Sequence, residues 1–203
     1  MRFITLGFLA VGCAETAITE TTDLTTDVAE MTKLRIDFGE SDGADWFVLN
    51  DDVMGGVSTS EVYATDTTVV FEGEVSTDNN GGFVSFRSPN NEYDLSQYSQ
   101  IEVSYISEGH DFTMILADQM MWYMPEFKHE VFPIENEWTT AVTSLYDFKQ
   151  YQMTGYGETE TDVEMSDEVL SEVIRLELRN SEFASGAFRL EIDYIEFQGY
   201  VNQ

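Results

Sequence analysis

The 203-residue chain holds one cysteine, two histidines and nine lysines or arginines, against 39 aspartates and glutamates. A single cysteine, Cys13, rules out an internal disulfide. With only His110 and His129 beside it, no His/Cys cluster of the kind that holds zinc can be drawn. The shortage of positive charge leaves a net charge of −30, a field that repels phosphate backbones and sets nucleic acid aside as a partner. Such an excess speaks first to a solvated surface and not to a site. Several motifs are also missing: there is no EF-hand spacing, no nucleophile elbow, and no glycine loop leading into a helix with a phosphate-binding lysine. With 39 carboxylates, nothing singles out a hydrolytic pair. The balance is against catalysis, with a polysaccharide-active hydrolase as the alternative, and no catalytic residue is assigned.

What is present is the composition of one folded domain, 42% hydrophobic and 13% aromatic. Met1-Arg2 followed by the apolar run Phe3–Val11 has the layout of a secretory signal, and the run is too short to cross a bilayer as a helix. It ends Leu9-Ala10-Val11-Gly12-Cys13, which resembles a bacterial lipobox with Cys13 as the acylated residue. Residues 1–12 are thus expected to be a lipoprotein-type signal peptide, with an ordinary signal and a secreted product as the alternative. Residues 13–31, rich in Thr, Glu and Asp, are expected to be a flexible tether. The expected location is the cell envelope, lipid-anchored at the outer membrane and facing the periplasm.

Residues 32–203 read as one β domain. Leu34, Ile36 and Phe38 alternate with polar neighbours, as do Ile101, Val103 and Tyr105, then Phe112, Met114 and Leu116. Val69–Val75, Met121–Met124, Phe127–Phe132, Trp138–Val142 and Ile174–Arg179 are further strand candidates, the last apolar inward and charged outward. In the closing stretch Phe188, Leu190 and Ile192 share one parity while Ile195 and Phe197 take the other, so a β-bulge is expected near Asp193-Tyr194. Ser166 ahead of Asp167, Glu168, Val169 and Leu170 caps one short helix. Many short strands and at most one or two short helices predict an all-β sandwich or barrel.

Two glycine-bearing segments flank the Val69–Val75 strand: Asn50-Asp51-Asp52-Val53-Met54-Gly55-Gly56-Val57-Ser58 and Asn79-Asn80-Gly81-Gly82-Phe83-Val84-Ser85-Phe86-Arg87. With Trp46 upstream and Phe71-Glu72-Gly73 between, this order and spacing resembles the complex I intermediate-associated protein 30 family. Asp94-Leu95-Ser96-Gln97-Tyr98, the Trp138 to Phe148 stretch and the Phe188–Phe197 strand extend the resemblance over about residues 34–197. One departure is Ser107-Glu108-Gly109-His110, where the family often has Gly-Asp-Gly. The resemblance implies a galactose-binding-domain-like jelly-roll β-sandwich. It also implies a role in assembling protein complexes, with no catalytic residues.

On this reading Trp46, Asp51, Asp52, Met54, Gly55, Gly56, Ser58, Asn79, Asn80, Gly81, Gly82, Phe83, Ser85 and Arg87 form a structural clasp. Arg87 is expected to pair with Asp51 or Asp52 and hold the two Gly-Gly segments together, with clamping of a ligand carboxylate or stacking on a sugar as the alternative. Trp122 and Tyr123, inside Met120–Met124, are a candidate surface for a sugar ring or a partner's apolar patch. Asp193, at the expected bulge, is the candidate calcium ligand. Two kinds of partner remain open: a protein, or a glycan bound by a carbohydrate-binding module of the envelope.

Overall fold

The computed structural model describes residues 31–200 except 41, 42, 122, 156 and 182, together with the backbone but not the side chain of Glu40. The expectations for Cys13, for the signal peptide and for nearly all of the tether therefore lie outside the described residues. In chain order the strands are β1 (Met31–Asp37), β2 (Phe47–Asn50), β3 (Thr59–Ala64), β4 (Val69–Val75), β5 (Val84–Arg87), β6 (Gln100–Glu108) and β7 (Phe112–Ala117). Then come β8 (Glu126–Phe132), β9 (Glu135–Ser144), β10 (Lys149–Thr154), β11 (Gly157–Glu164), β12 (Arg175–Asn180) and β13 (Gly186–Tyr200). The one α-helix described, α1 (Asp167–Ser171), begins as its sequence predicts, with the Ser166 hydroxyl accepting the Val169 N–H.

The strands form two antiparallel sheets packed face to face. One runs β3-β4-β13-β6-β9 with β1 also on β13, and the other runs β11-β10-β8-β7-β12-β5-β2. The core lies between them and is strongly aromatic. Phe71 and Phe188 of the first sheet meet at 4.9 Å between ring centroids, Phe71 meets Phe112 and Phe86 of the second at 5.7 Å, and Trp46 closes on Phe86 at 5.0 Å. All five rings are buried, and aromatic pairs at such distances add to the stabilisation from area burial. This is the jelly-roll sandwich expected.

The parity change in the last strand has the expected cause. Against β6, Ile192 pairs with Tyr105 and Tyr194 with Ser104, so Asp193 is the extra residue of a bulge. The same point divides the other edge of β13. Gly186–Ile192 pairs with β4, and Tyr194–Tyr200 pairs with β1, Met31 lying opposite Tyr200. The bulge keeps Phe188, Leu190, Ile192, Ile195 and Phe197 all in the core.

Two expectations need correcting. The described residues of Met121–Met124 carry no strand, and the Met124 N–H donates to the Met121 carbonyl at 3.0 Å. Met120, Met121 and Tyr123 are all more than half exposed. In β12 the charged positions do not face solvent: Glu177 is fully buried and Arg175 nearly so. The sequence reading assigned no strand to β2, β3, β10 or β11.

Candidate functional site

The two glycine segments meet around one side chain. Past the end of β2 the chain makes a 3-10 turn, Asp51–Met54, which turns the Asp51 carboxylate inward and leaves Asp52 exposed. The Asp51 carboxylate accepts the Ser58 N–H at 3.0 Å, the Ser58 hydroxyl at 2.5 Å, the Gly82 N–H at 2.6 Å and the Phe83 N–H at 3.3 Å. Burial alone would raise its pKa, but these hydrogen bonds win and hold it below the ordinary aspartate value. Glycine is required on both sides by close approach. A Cβ at Gly56 would stand 2.3 Å from the Asp51 carboxylate, and one at Gly81 would stand 2.5 Å from it. Asn79 and Asn80 take left-handed backbone, φ 57° and 61°, to bring the second segment in. Asn180 ties the arrangement to β12, accepting the Val84 N–H and donating to the Gly82 carbonyl, both at 2.9 Å.

Arg87 has no part in holding the two segments together. Its Nη2 donates to Glu177 at 2.9 Å, and its Nε donates to the Ser85 hydroxyl at 3.0 Å. Ser85 in turn donates to the Leu49 carbonyl at 2.9 Å. The reason is register: β5 pairs Val84 with Asn50, next to Asp51, and Arg87 is three residues further on, about 10 Å at strand rise. The expected Arg87 partners Asp51 and Asp52 are therefore replaced by Glu177. Trp46 is core, and Gly55 ends the 3-10 turn with φ 92°. Met54 is 66% exposed, with Val53 at 63%, Val57 at 50% and Phe183, whose ring lies over Gly82, at 75%.

The outer face of the second sheet carries a network that the sequence reading did not single out. Arg87, Arg175 and Arg179 surround Glu177. Its Oε1 accepts from Arg87 Nη2 and from Arg179 Nε and Nη2, all within 2.9 Å, while Arg179 also grips Glu126 with two nitrogens at 3.1 and 3.3 Å. Burial alone would raise the Glu177 pKa, and the three guanidinium charges hold it low instead. The signal was available. In a chain with nine basic residues, two sit at Arg175 and Arg179, flanking an acid at alternate positions of one strand.

The network is incompletely satisfied. Among the described residues, the buried side-chain nitrogens and oxygens without a hydrogen-bond partner are Glu177 Oε2, Arg175 Nε and Asp118 Oδ1. Burial raises the Asp118 pKa. Glu177 Oε2 lies 3.7 Å from Arg175 Nη2, an ion pair without a hydrogen bond. Asp118 lines an open pocket of about 660 Å³ together with Asn90, Glu92, Met120, Met121 and Ile174, among others. Asn90 links the two features, accepting from Arg175 Nη1 at 3.4 Å and donating to the Met120 sulfur at 3.4 Å.

Tyr123 is exposed in the turn above, its carbonyl accepting from Gln152 at 2.9 Å; Trp122 lies outside the described residues. Asp193 is partly buried on its bulge, and no group of three or more His, Cys, Asp or Glu among the described residues is placed to hold a metal ion.

Comparison with solved structures finds the same fold elsewhere. The chain is similar to the family 11 carbohydrate-binding module from Clostridium thermocellum, solved with a beta-1,3-1,4-mixed-linked tetrasaccharide, at 14% identity and TM-score 0.54, covering 78% of this chain and 91% of that one. A family 11 module of a cellulosomal cellulase from the same organism matches at 16% identity and TM-score 0.53, covering 75% and 86%. At these identities the likeness is one of fold. No curated protein matches the chain. The family model for Complex I intermediate-associated protein 30 matches residues 36–192, a span that takes in the Asp51 clasp, the arginine network, the whole of the second sheet and the first sheet apart from most of β1 and the second half of β13. The chain belongs to the complex I intermediate-associated protein 30 family.

Proposed function

We propose that the protein is a non-catalytic binding module, tethered to a membrane of the cell envelope through acylated Cys13, that docks an apolar surface of a protein partner and assists its assembly. The observation that carries this reading is the exposure of Val53, Met54 and Val57 on a loop whose backbone Asp51 pins, with exposed Phe183 against the neighbouring Gly82. Large apolar side chains held out on a rigid backbone dock a partner at little ordering cost. The family takes its name from a complex I intermediate-associated protein, which supports an assembly role. The test is copurification from detergent-solubilised membranes with wild type and Met54→Asp. One stoichiometric protein is expected with wild type, reduced at least tenfold with the variant. No stoichiometric protein, or capture indifferent to Met54→Asp, overturns the reading. The anchor is tested by mass: wild type should carry acyl chains that Cys13→Ser lacks, and an unmodified wild type refutes it.

A second reading, glycan binding, is favoured by the pocket beside the arginine network and by the exposed turn carrying Tyr123. It takes Trp122 and Tyr123 as the sugar platform and Asp193 as the site of a stabilising calcium. A glycan array with wild type, Trp122→Ala and Tyr123→Ala tests the platform. A calcium-dependent rise in melting temperature that Asp193→Asn abolishes tests the metal.

A further inference from the structure

We infer that the exposed side chains Val53, Met54, Val57 and Phe183 dock a protein surface whose own apolar centre is ringed by lysine and arginine. The inference rests on the docking reading and deepens it, naming the charge of the partner's rim.

The apolar side chains and two carboxylates share the same pair of turns. Asp51 accepts the N–H of Ser58, next to Val57, and the N–H of Gly82, over which the Phe183 ring lies. Asp52 stands exposed in the 3-10 turn that also carries Val53 and Met54. Asp78 stands exposed where the second turn begins, its carbonyl accepting the Gly81 N–H at 3.0 Å.

No positive charge of this chain offsets them. Residues 36–86, which supply both turns, hold eleven aspartates and glutamates and no lysine or arginine, and residues 180–188 around Phe183 hold no lysine or arginine either. Of the nine basic residues all but Arg2 are described, and each of those eight is already held in an ion pair with an acid of the same chain. Among the described residues none of these ion pairs involves Asp52 or Asp78.

Charge then selects the occupant. A second copy of this chain, also at −30, would set its own acids against these across the contact, and an anionic lipid surface would be repelled in the same way. A neutral apolar surface would strip water from two carboxylates and return no partner to them. A rim of lysine and arginine supplies the counter-ions, speeds encounter through long-range attraction and turns acidic competitors away.

The experiment is titration of the full chain with three short amphipathic peptides that share one leucine face and are flanked by lysine, glutamine or glutamate. The lysine-flanked peptide should bind at least tenfold more tightly than the glutamine-flanked one, and the glutamate-flanked one most weakly. That preference should shrink severalfold in 1 M salt, where the screening length is about 3 Å against about 10 Å at 0.1 M. Asp52→Asn with Asp78→Asn should weaken the lysine-flanked peptide at least fivefold, as should Met54→Gln. Both acids are exposed, so the pair should melt like wild type, and either single variant decides if it does not fold. The charge-matched control is Glu137→Gln with Asp162→Asn, exposed acids on the edge strands β9 and β11, the latter six strands from β2, roughly 29 Å. The control should change affinity less than twofold. Equal weakening by the two pairs would assign the preference to net charge alone and overturn the inference, as would lysine-flanked binding indifferent to Met54→Gln. Equal affinity for the lysine- and glutamine-flanked peptides, lost in Met54→Gln, refutes the basic rim while the docking reading stands. If no peptide binds, the inference falls, and partner capture with Met54→Asp decides the docking reading on its own.

Discussion

The Asp51 carboxylate and the Gly82 N–H meet at 2.6 Å across 31 residues of chain, closing β4 and its turns into a loop pinned at both ends. Asp51 is 1% exposed, so nothing in solvent can replace its partners. Asp51→Asn keeps the shape but loses the charge and one acceptor oxygen. Hydrogen bonds to a charged group contribute about 1.5–3 kcal/mol each, and a destabilisation of about 3 kcal/mol is expected by urea unfolding. A loss under about 1 kcal/mol would contradict the clasp.

The same side chain sets an acid limit. Its folded pKa is lowered: burial opposes this, and the Ser58, Gly82 and Phe83 hydrogen bonds override burial. A depressed folded pKa contributes stability that is present above the unfolded value of about 3.9 and lost as pH falls through the folded value. Unfolding free energy measured between pH 6 and 2.5 should therefore fall less steeply below about pH 4 in Asp51→Asn than in wild type. Equal slopes would show that Asp51 is not the linked group.

Neighbouring glycines should behave differently. A Cβ at Gly55 meets nothing within 4 Å, so Gly55→Ala carries only the strain of its positive φ, about 1 kcal/mol. At Gly56 the Cβ would displace the Asp51 carboxylate, and Gly56→Ala should cost at least about 3 kcal/mol. Similar melting temperatures for the two variants would contradict the geometry.

Glu177→Gln should be among the most damaging conservative changes in the protein. It leaves Arg87, Arg175 and Arg179 without their shared counter-ion, and breaking a buried ion pair typically costs about 3–5 kcal/mol. Because the cluster is buried, the difference from wild type should persist at 1 M salt, where the screening length is about 3 Å. A difference that vanishes in salt would place the network at the surface.

At the bulge, deleting Asp193 and replacing it should part company. Deletion shifts one half of β13 by a residue and turns Ile195 and Phe197 out of the core, so no folded protein is expected by circular dichroism. Asp193→Ala keeps the register and should fold. A deletion variant that melts like wild type would show that the strand re-registers freely.

The strands that present one polar and one apolar face were readable, and so was the parity break at Asp193. β11 was not, because nearly every residue of this edge strand is exposed and no alternation is imposed on it. The glycine segments could be recognised as a unit. Which of two adjacent aspartates turns inward depends on the 3-10 turn, and which acid faces Arg87 depends on β12 lying beside β5. Those facts are settled by pairings 90 residues apart, as with Arg87 and Glu177, and local pattern carries no trace of them.

The length of β13 has a consequence for orientation. Its last residues pair with β1, where the chain enters the domain from its acidic N-terminal segment, and its first residues adjoin the pinned loops, Ser185 accepting the Thr77 N–H. Fifteen residues of strand span roughly 45 Å. Entry point and apolar loops therefore sit at opposite poles. An anchor at Cys13 would join the domain at the pole away from Met54 and Phe183, leaving those side chains unobstructed by the point of attachment.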